Sequence, residues 1–214
     1  MGGMIAKRDS VKHPTPVSKL EEEMVNAMQR RAAEGCSMKS FNSLILKFPK
    51  IDENLRRCRS IFQQFDEDSN GAIDQEELKH CFLKLEISFT EEEIGELFDA
   101  CDINKDMGMK FNEFIVLLCL VYLLKELGSV HGKPRMGLPD LEATFETLVD
   151  AFVFLDKNKD GYVSRNEMVE AINETVGEEM DWDKNGTVTF KEFLFAFTRW
   201  IGIKDNDDDE DDEE

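Results

Sequence analysis

Apolar residues recur at intervals of three and four through most of the chain, a spacing typical of helices that bury one face. The pattern predicts helices over residues 19–31, 53–65, 75–85, 91–101 and 111–125. The last of these contains the run FIVLLCLVYLL, which is apolar on every side and should therefore be buried on every side. Its cover could be the second half of the chain, the N-terminal residues or a partner protein.

Four twelve-residue segments interrupt the helical pattern, and each begins with Asp and ends with Glu. They are DEDSNGAIDQEE at 66–77, DINKDMGMKFNE at 102–113, DKNKDGYVSRNE at 156–167 and DWDKNGTVTFKE at 181–192. The first, third and fourth fit the pattern D-x-[DN]-x-[DN]-G-x5-E, which places oxygen-bearing side chains around a sharp turn at Gly. Because Ca²⁺ takes about six to eight oxygen ligands, the pattern predicts three calcium sites.

The predicted ligands stand at loop positions 1, 3, 5, 7, 9 and 12, and position 7 contributes a backbone carbonyl oxygen. They are Asp66, Asp68, Asn70, Ala72, Asp74 and Glu77 in the first loop; Asp156, Asn158, Asp160, Tyr162, Ser164 and Glu167 in the third; and Asp181, Asp183, Asn185, Thr187, Thr189 and Glu192 in the fourth. One such loop could be an acidic surface turn that binds no metal, but three complete matches in one chain favour metal binding.

The second loop departs from the pattern at two positions. It keeps potential ligands at Asp102, Asn104, Asp106 and Glu113. Position 6, which requires a positive φ, is Met107, and position 9 is Lys110, a cation beside a cation site. We therefore expect a weak or unoccupied site whose main role is to pair with the first loop.

The loops with their flanking helices resemble the EF-hand repeats of calmodulin. The long N-terminal extension and acidic tail look like those of plant calmodulin-like calcium-binding proteins, and the resemblance covers residues 53 to about 202. It implies an all-α fold with two loop pairs and Ca²⁺ as the bound ion. Position 8 of the complete loops holds Ile73, Val163 or Val188, β-branched residues that favour short β-bridges between paired loops.

The second pair of loops is unusually close in sequence. The first residues of loops one and two are 36 residues apart, whereas those of loops three and four are only 25 apart. The 13 residues between loops three and four are too few for two full helices and a turn. We expect a chain break near 175–177, at most one helical turn before the fourth loop, and a fourth site weaker than its ligands suggest.

Charge and composition divide the chain further. Residues 1–60 hold 12 basic and 7 acidic side chains, whereas the whole chain has a net charge of −20, and nine of its last ten residues are acidic. The predicted organisation is a disordered start at 1–17, a basic helical extension at 18–52, loop pairs at 53–126 and 140–202, a linker at 127–139, and a disordered acidic tail at 203–214.

Several classes of protein are excluded by these features. The strong negative charge argues against nucleic-acid binding, and the longest apolar run, 11 residues, is too short to span a membrane. Five cysteines without a CxxC spacing predict a reduced, cytoplasmic protein. The three His residues lie in unrelated contexts and the carboxylate clusters belong to loops, so we expect no enzymatic activity.

Two functions remain open. A calcium sensor would expose an apolar groove and bind target proteins through an amphipathic helix, whereas a buffer or constitutive regulatory subunit would bind calcium without a switch. Candidate groove residues are Phe-rich: Ile61, Phe62, Phe65, Ile73, Phe82, Leu85, Leu97, Phe98, Phe111 and Phe114 in the first pair, and Phe145, Leu148, Phe152, Phe154, Leu155, Val163, Phe190, Phe193, Leu194 and Phe197 in the second.

The N-terminal extension carries two further candidate features. Met38, Phe41, Leu44, Ile45 and Phe48 form an amphipathic segment flanked by Lys39, Lys47 and Lys50, which predicts either an intramolecular lid on a groove or a permanent part of the core. Gly2, in MGGMIAK, meets a permissive myristoylation pattern with Ala6 where Ser or Thr is preferred. Acylation would give peripheral membrane contact, supported by Lys7, Arg8 and Lys12.

Overall fold

The all-α prediction is confirmed by a computed structural model, which describes residues 15–35, 38–125, 138–172 and 179–203. The elements within these residues are α1 (Lys19–Glu34), α2 (Asn42–Ile45), α3 (Phe48–Phe65), α4 (Gln75–Lys84), α5 (Glu91–Cys101), α6 (Phe111–Lys125), α7 (Pro139–Leu155), β1 (Val163–Ser164), α8 (Arg165–Ala171), β2 (Thr187–Val188) and α9 (Phe190–Trp200). The two strands pair antiparallel.

Helix α3 begins five residues earlier than the predicted start at residue 53. Pro49 lies in its first turn, where the missing N–H costs nothing and the fixed φ suits a helix. Ile51 and Leu55 continue the buried face of the helix, so the residues before 53 gain burial by being helical. The helix therefore joins the N-terminal extension to the first loop without interruption.

Helix α6 lies at the centre of the molecule. Residues 116–121 are fully buried, and helices α1, α3, α5, α7 and α9 all pack around α6. Helix α6 is therefore covered by the N-terminal extension, through α1, and by the second half of the chain, through α7 and α9. As a result the two loop pairs share one hydrophobic core.

The N-terminal extension packs against both halves. Leu20, Met24 and Met28 bury one face of α1. In the segment that follows, Phe41 and Leu44 are buried while Ile45 and Leu46 stay exposed. Phe48 meets the ring of Phe197 on α9 edge to face, with ring centroids 5.3 Å apart.

Polar contacts reinforce the junction between the halves. The Arg31 guanidinium on α1 lies 3.0 Å from Asp150 and 3.4 Å from Glu146, both on α7. The Asn54 side-chain amide on α3 donates to the Thr144 hydroxyl on α7 at 2.9 Å, and both residues are buried. The hydrogen bond between buried Asn54 and Thr144 fixes the register of α3 and α7 more tightly than apolar contact alone.

Several sequence predictions lie outside the described residues. They concern Gly2, the break at 175–177, and almost all of the disordered start, the linker and the acidic tail. Within the described residues, Cys58, Cys81, Cys101 and Cys119 are free, buried thiols. No described helix combines the length and apolarity that a bilayer crossing requires.

The central position of α6 predicts a large effect of truncating it. Leu120 is fully buried, so we expect Leu120→Ala to lower the free energy of unfolding by about 2–5 kcal/mol. Leu83→Ala is the matched control, because Leu83 is 74% exposed and its truncation removes little buried surface. Urea unfolding of both variants measures the difference; equal losses would contradict the burial of α6.

Candidate metal centres

The four loops lie in two pairs. Ile73 and Met109 exchange two backbone hydrogen bonds of 2.8 Å between the first and second loops. In the second pair, Val163 lies opposite Val188 and Ser164 opposite Thr187. The short β-bridges predicted at position 8 are confirmed, and loops three and four pair despite their short separation in sequence.

The first loop turns its oxygen atoms inward. The carboxylate of Asp66 accepts hydrogen bonds from the backbone N–H groups of Asn70 and Gly71, at 2.9 and 3.0 Å. Ligand oxygens of Asp66, Asp68 and Glu77 all lie within 4.8 Å of one another. Gly71 has a φ of +87°, the left-handed conformation that the turn at position 6 requires.

The third loop repeats this geometry in a more buried setting. Asp156 is 2% exposed, and its carboxylate accepts from the N–H groups of Asp160 and Gly161 at 3.2 and 2.8 Å. Glu167 accepts from the Lys157 N–H at 2.9 Å, which holds the closing carboxylate across the mouth of the loop. Gly161 has the same φ as Gly71, +87°.

The fourth loop has the same cluster of carboxylates as the first, but its backbone enters the loop differently. Ligand oxygens of Asp181, Asp183 and Glu192 lie within 4.8 Å of one another. In the third loop the N–H after the first Asp, that of Lys157, donates to the closing glutamate, whereas in the fourth the corresponding N–H of Trp182 donates to the Met180 carbonyl at 3.0 Å. Because of this change, Oε1 of Glu192 is buried without a hydrogen-bond partner among the described residues.

The second loop adopts the calcium-loop conformation despite its departures from the pattern. Met107 takes a φ of +66° in place of the usual glycine, and its N–H donates to Asp102 Oδ2 at 3.1 Å. The other oxygen, Oδ1 of Asp102, is buried without a partner among the described residues. Lys110 lines a cleft of about 190 Å³, which the closing residues Glu113 and Glu192 of the second and fourth loops also line.

The closing glutamate of each of loops one, three and four also lies in the first turn of a helix. In a capping box, the residue at loop position 9 caps the helix while the glutamate at position 12 bonds back to the capping residue's N–H. Asp74, Ser164 and Thr189 fill the first role for α4, α8 and α9. Because Glu77, Glu167 and Glu192 belong to both the loop and the helix, an ion that moves the carboxylate also moves the first turn of the helix.

The electrostatics of the loops favour a bound cation. Burial, with Asp160 and Glu167 nearby, raises the pKa of Asp156 to about 6. Burial and neighbouring carboxylates also raise the pKa values of Glu113 and Glu192 above their ordinary range. Crowded, buried carboxylates of this kind are stabilised either by protons or by a metal ion.

The donor set fits a hard divalent cation. Every predicted ligand group is a carboxylate, an amide, a hydroxyl or a backbone carbonyl, and oxygen ligands of this kind suit Ca²⁺. The unpartnered oxygens of Glu192 and Asp102 are two buried acceptors that an ion would satisfy. Assignment of each individual ligand stays a prediction.

Comparisons with known proteins agree with this geometry. The family model described as an EF-hand domain pair matches residues 55–118, and the one described as an EF hand matches residues 148–171. The probable calcium-binding protein CML21 of Arabidopsis thaliana is 62% identical over 220 residues, which cover 97% of this chain and 95% of the relative. The probable calcium-binding protein CML22 of the same plant is 42% identical, covering 81% and 82% of the two chains.

The chain therefore belongs to the EF-hand family, among the calmodulin-like calcium-binding proteins. A more distant relative is calcium-dependent protein kinase 32 of Arabidopsis thaliana, 30% identical over 153 residues. The match covers 67% of this chain but only 25% of the kinase. The family resemblance and the bound ion predicted from the loops are both confirmed.

Sequence reasoning missed the neighbours of the third loop. Gln29 on α1 donates to the Asp160 carbonyl at 3.0 Å, and the Tyr162 hydroxyl donates to Glu21 at 3.2 Å. The loop pattern fixes which residues face the ion but carries no information about which element covers the outside of the loop. Only the tertiary structure brings these residues together.

Single substitutions of the closing glutamates should separate the four sites. We expect Glu77→Gln and Glu167→Gln each to weaken one calcium site about tenfold or more, because each removes a charged oxygen ligand. Glu192→Gln should affect a weaker site, and Glu113→Gln should leave the number of strong sites unchanged. Isothermal titration of the full chain with calcium measures this, and a strong site abolished by Glu113→Gln would contradict the assignment of the second loop.

The raised pKa of Asp156 predicts a specific pH dependence without calcium. The pKa of Asp156 is about 6 in the folded protein, against about 3.9 in an unfolded chain, so the folded state binds more protons between these values. Stability must then fall as pH rises through this window. We expect a lower urea midpoint at pH 7 than at pH 5 in calcium-free buffer and a smaller difference for Asp156→Asn; an unchanged difference in that variant would count against the assignment.

Proposed function

We propose that this protein is a calcium sensor that binds target proteins through apolar surface covered by residues 38–48 of its own N-terminal extension. The contact that carries the proposal is the packing of Phe48 on Phe197, at 5.3 Å between ring centroids. Phe197 belongs to α9, the helix whose first turn contains the closing residue Glu192. A calcium ion that engages Glu192 therefore acts on the helix that holds the end of the extension.

The burial of the groove residues supports a covered surface. Of the twenty candidate groove residues, only Ile61, Leu85 and Phe154 are partly exposed; the others are buried. Calcium in sensor EF-hands changes the angle between the helices that flank each loop, and buried apolar residues become accessible. Movement of α9 would weaken the Phe48 contact and free the surface beneath it.

The covering segment indicates the chemistry of a target. Met38, Phe41, Leu44 and Phe48 supply its apolar face, and Lys39 and Lys47 are exposed beside it. A target that replaces this segment would be an amphipathic helix with basic flanks, matched to the acidic body of the protein.

We further propose a non-enzymatic, cytoplasmic protein, because both clusters of three carboxylates among the described residues are calcium loops and the described cysteines are free thiols.

One observation favours a second candidate, a constitutive calcium-binding subunit without a switch. Both loop pairs and α1 contribute to one core around α6, so a large opening of either pair would disturb the other. In that case calcium would hold the structure in place, as in EF-hand buffers that barely open.

Retention on a hydrophobic matrix distinguishes the two functions. We expect the wild-type protein to be retained in calcium and released in chelator, and Phe48→Ala to be retained at lower calcium because its cover is weakened. Leu46→Ala is the matched control, since Leu46 lies in the same segment but is 83% exposed. Identical elution of wild type and Phe48→Ala in calcium and in chelator would favour the constitutive subunit.

A further inference from the structure

Helix α1 contacts the outer side of the third calcium loop at four successive residues. The Gln29 side-chain amide donates to the backbone carbonyl of Asp160 at 3.0 Å. The Lys159 ammonium donates to the Ala32 carbonyl at 2.9 Å, near the C-terminal end of α1. The Tyr162 hydroxyl donates to a carboxylate oxygen of Glu21 at 3.2 Å.

The fourth residue, Gly161, lies directly against the α1 backbone. A Cβ atom at Gly161 would come within 2.8 Å of Val25 Cγ1 and 3.2 Å of the Val25 carbonyl oxygen. Gly161 is buried and has a φ of +87°. Glycine at this position therefore serves two purposes, since it allows the turn around the ion and the close approach of α1.

These contacts involve the part of the loop that wraps the ion. Lys159 to Tyr162 occupy loop positions 4 to 7, which include the predicted ligands Asp160 and the Tyr162 carbonyl. On their inner side these residues form the calcium cage, with the Asp160 and Gly161 N–H groups bound to Asp156. On their outer side the same residues hold α1, so α1 can dock in this way only while the loop keeps its closed conformation.

A salt bridge fixes α1 to the other side of the same site. Arg31 lies 3.0 Å from Asp150 on α7, the helix that leads into the third loop, and the two side chains are only 15% and 13% exposed. Helix α1 is thus attached to both the entering helix and the ligating segment of the third hand. Opening of the loop by repulsion among Asp156, Asp160 and Glu167 would pull these two attachments apart.

We infer that α1 forms part of the third calcium site, with Gln29 and Glu21 as positioning residues for its ligating segment. Calcium at the third loop holds the closed conformation and thereby fastens α1 over α6. Thermodynamic linkage requires the reverse effect as well: docking of α1 raises the calcium affinity of the third site by the same factor. The inference rests on the proposed function in one respect, that the protein binds calcium, and it requires the third loop to be one of the binding sites.

Hydrogen exchange of the α1 amides tests the first half of this linkage. We expect calcium to slow exchange over Lys19–Glu34 in the full chain, and Glu167→Gln to abolish most of that slowing. Glu77→Gln is the matched control. It removes the corresponding carboxylate from the first loop, which pairs with the second loop and not with the third or fourth. Equal effects of Glu77→Gln and Glu167→Gln on α1, or no effect of either, would overturn the inference.

The calcium affinity of the third site tests the second half. In a Glu77→Gln/Glu192→Gln background, we expect Gln29→Ala and Tyr162→Phe each to weaken the third site roughly three- to tenfold, the value of one hydrogen bond. Tyr162→Phe leaves the backbone carbonyl ligand in place. Arg30→Ala is the control on α1, since Arg30 is exposed on the same helix, and it should leave the affinity unchanged.

Two further outcomes separate this inference from general destabilisation and from the proposed function. If Gln29→Ala lowered the urea midpoint in chelator but left the calcium affinity of the third site unchanged, α1 would be structural only and the inference would fall. If the third loop bound no calcium in the Glu77→Gln/Glu192→Gln background, the inference would fall, whereas the sensor proposal, which is carried by Glu192 of the fourth loop, would stand. Calcium binding there without any response of α1 would overturn the inference alone.

Discussion

The conformation of the loops depends on how the repulsion between their own closely placed carboxylates is balanced. Asp66, Asp68 and Glu77 converge within 4.8 Å in the first loop, and Asp181, Asp183 and Glu192 do so in the fourth. Backbone N–H groups compensate for part of this charge, but two acceptors, on Asp102 and Glu192, stay without partners among the described residues. A divalent cation in the fourth loop would remove the repulsion there and satisfy the Glu192 oxygen, which would tie the conformation of that loop to metal binding.

Helix α6 connects the helices of both loop pairs with the N-terminal extension. Its buried faces are covered by helices from the N-terminal extension and from both loop pairs. The helices that leave the first and fourth loops, α4 and α9, begin at capping boxes that share their glutamate with the predicted calcium site. A change in the conformation of the fourth loop would therefore reach the contact between α9 and α6.

Local rules were sufficient for much of this structure. The bounds predicted for α5 and α6 agree with the structure because apolar spacing and the flanking loops both mark the same ends. The start of α3 was missed by five residues, because Phe48 to Asp52 were assigned to the N-terminal extension and not to the helix that enters the first loop. The hydrogen bond between the Trp182 N–H and Met180 was also missed, since a ligand pattern specifies side chains and not the entry of the backbone.

The attachment of α1 to the third loop has a consequence for biosynthesis. Gln29 and Asp160 are 131 residues apart, so α1 leaves the ribosome long before the loop that holds it has been translated. Until α6 and α7 have also been synthesised, the apolar face formed by Leu20, Met24 and Met28 lacks its final neighbours on these helices. Contacts of such high sequence separation form late and slowly, so the nascent α1 keeps this apolar face exposed while the rest of the chain is synthesised.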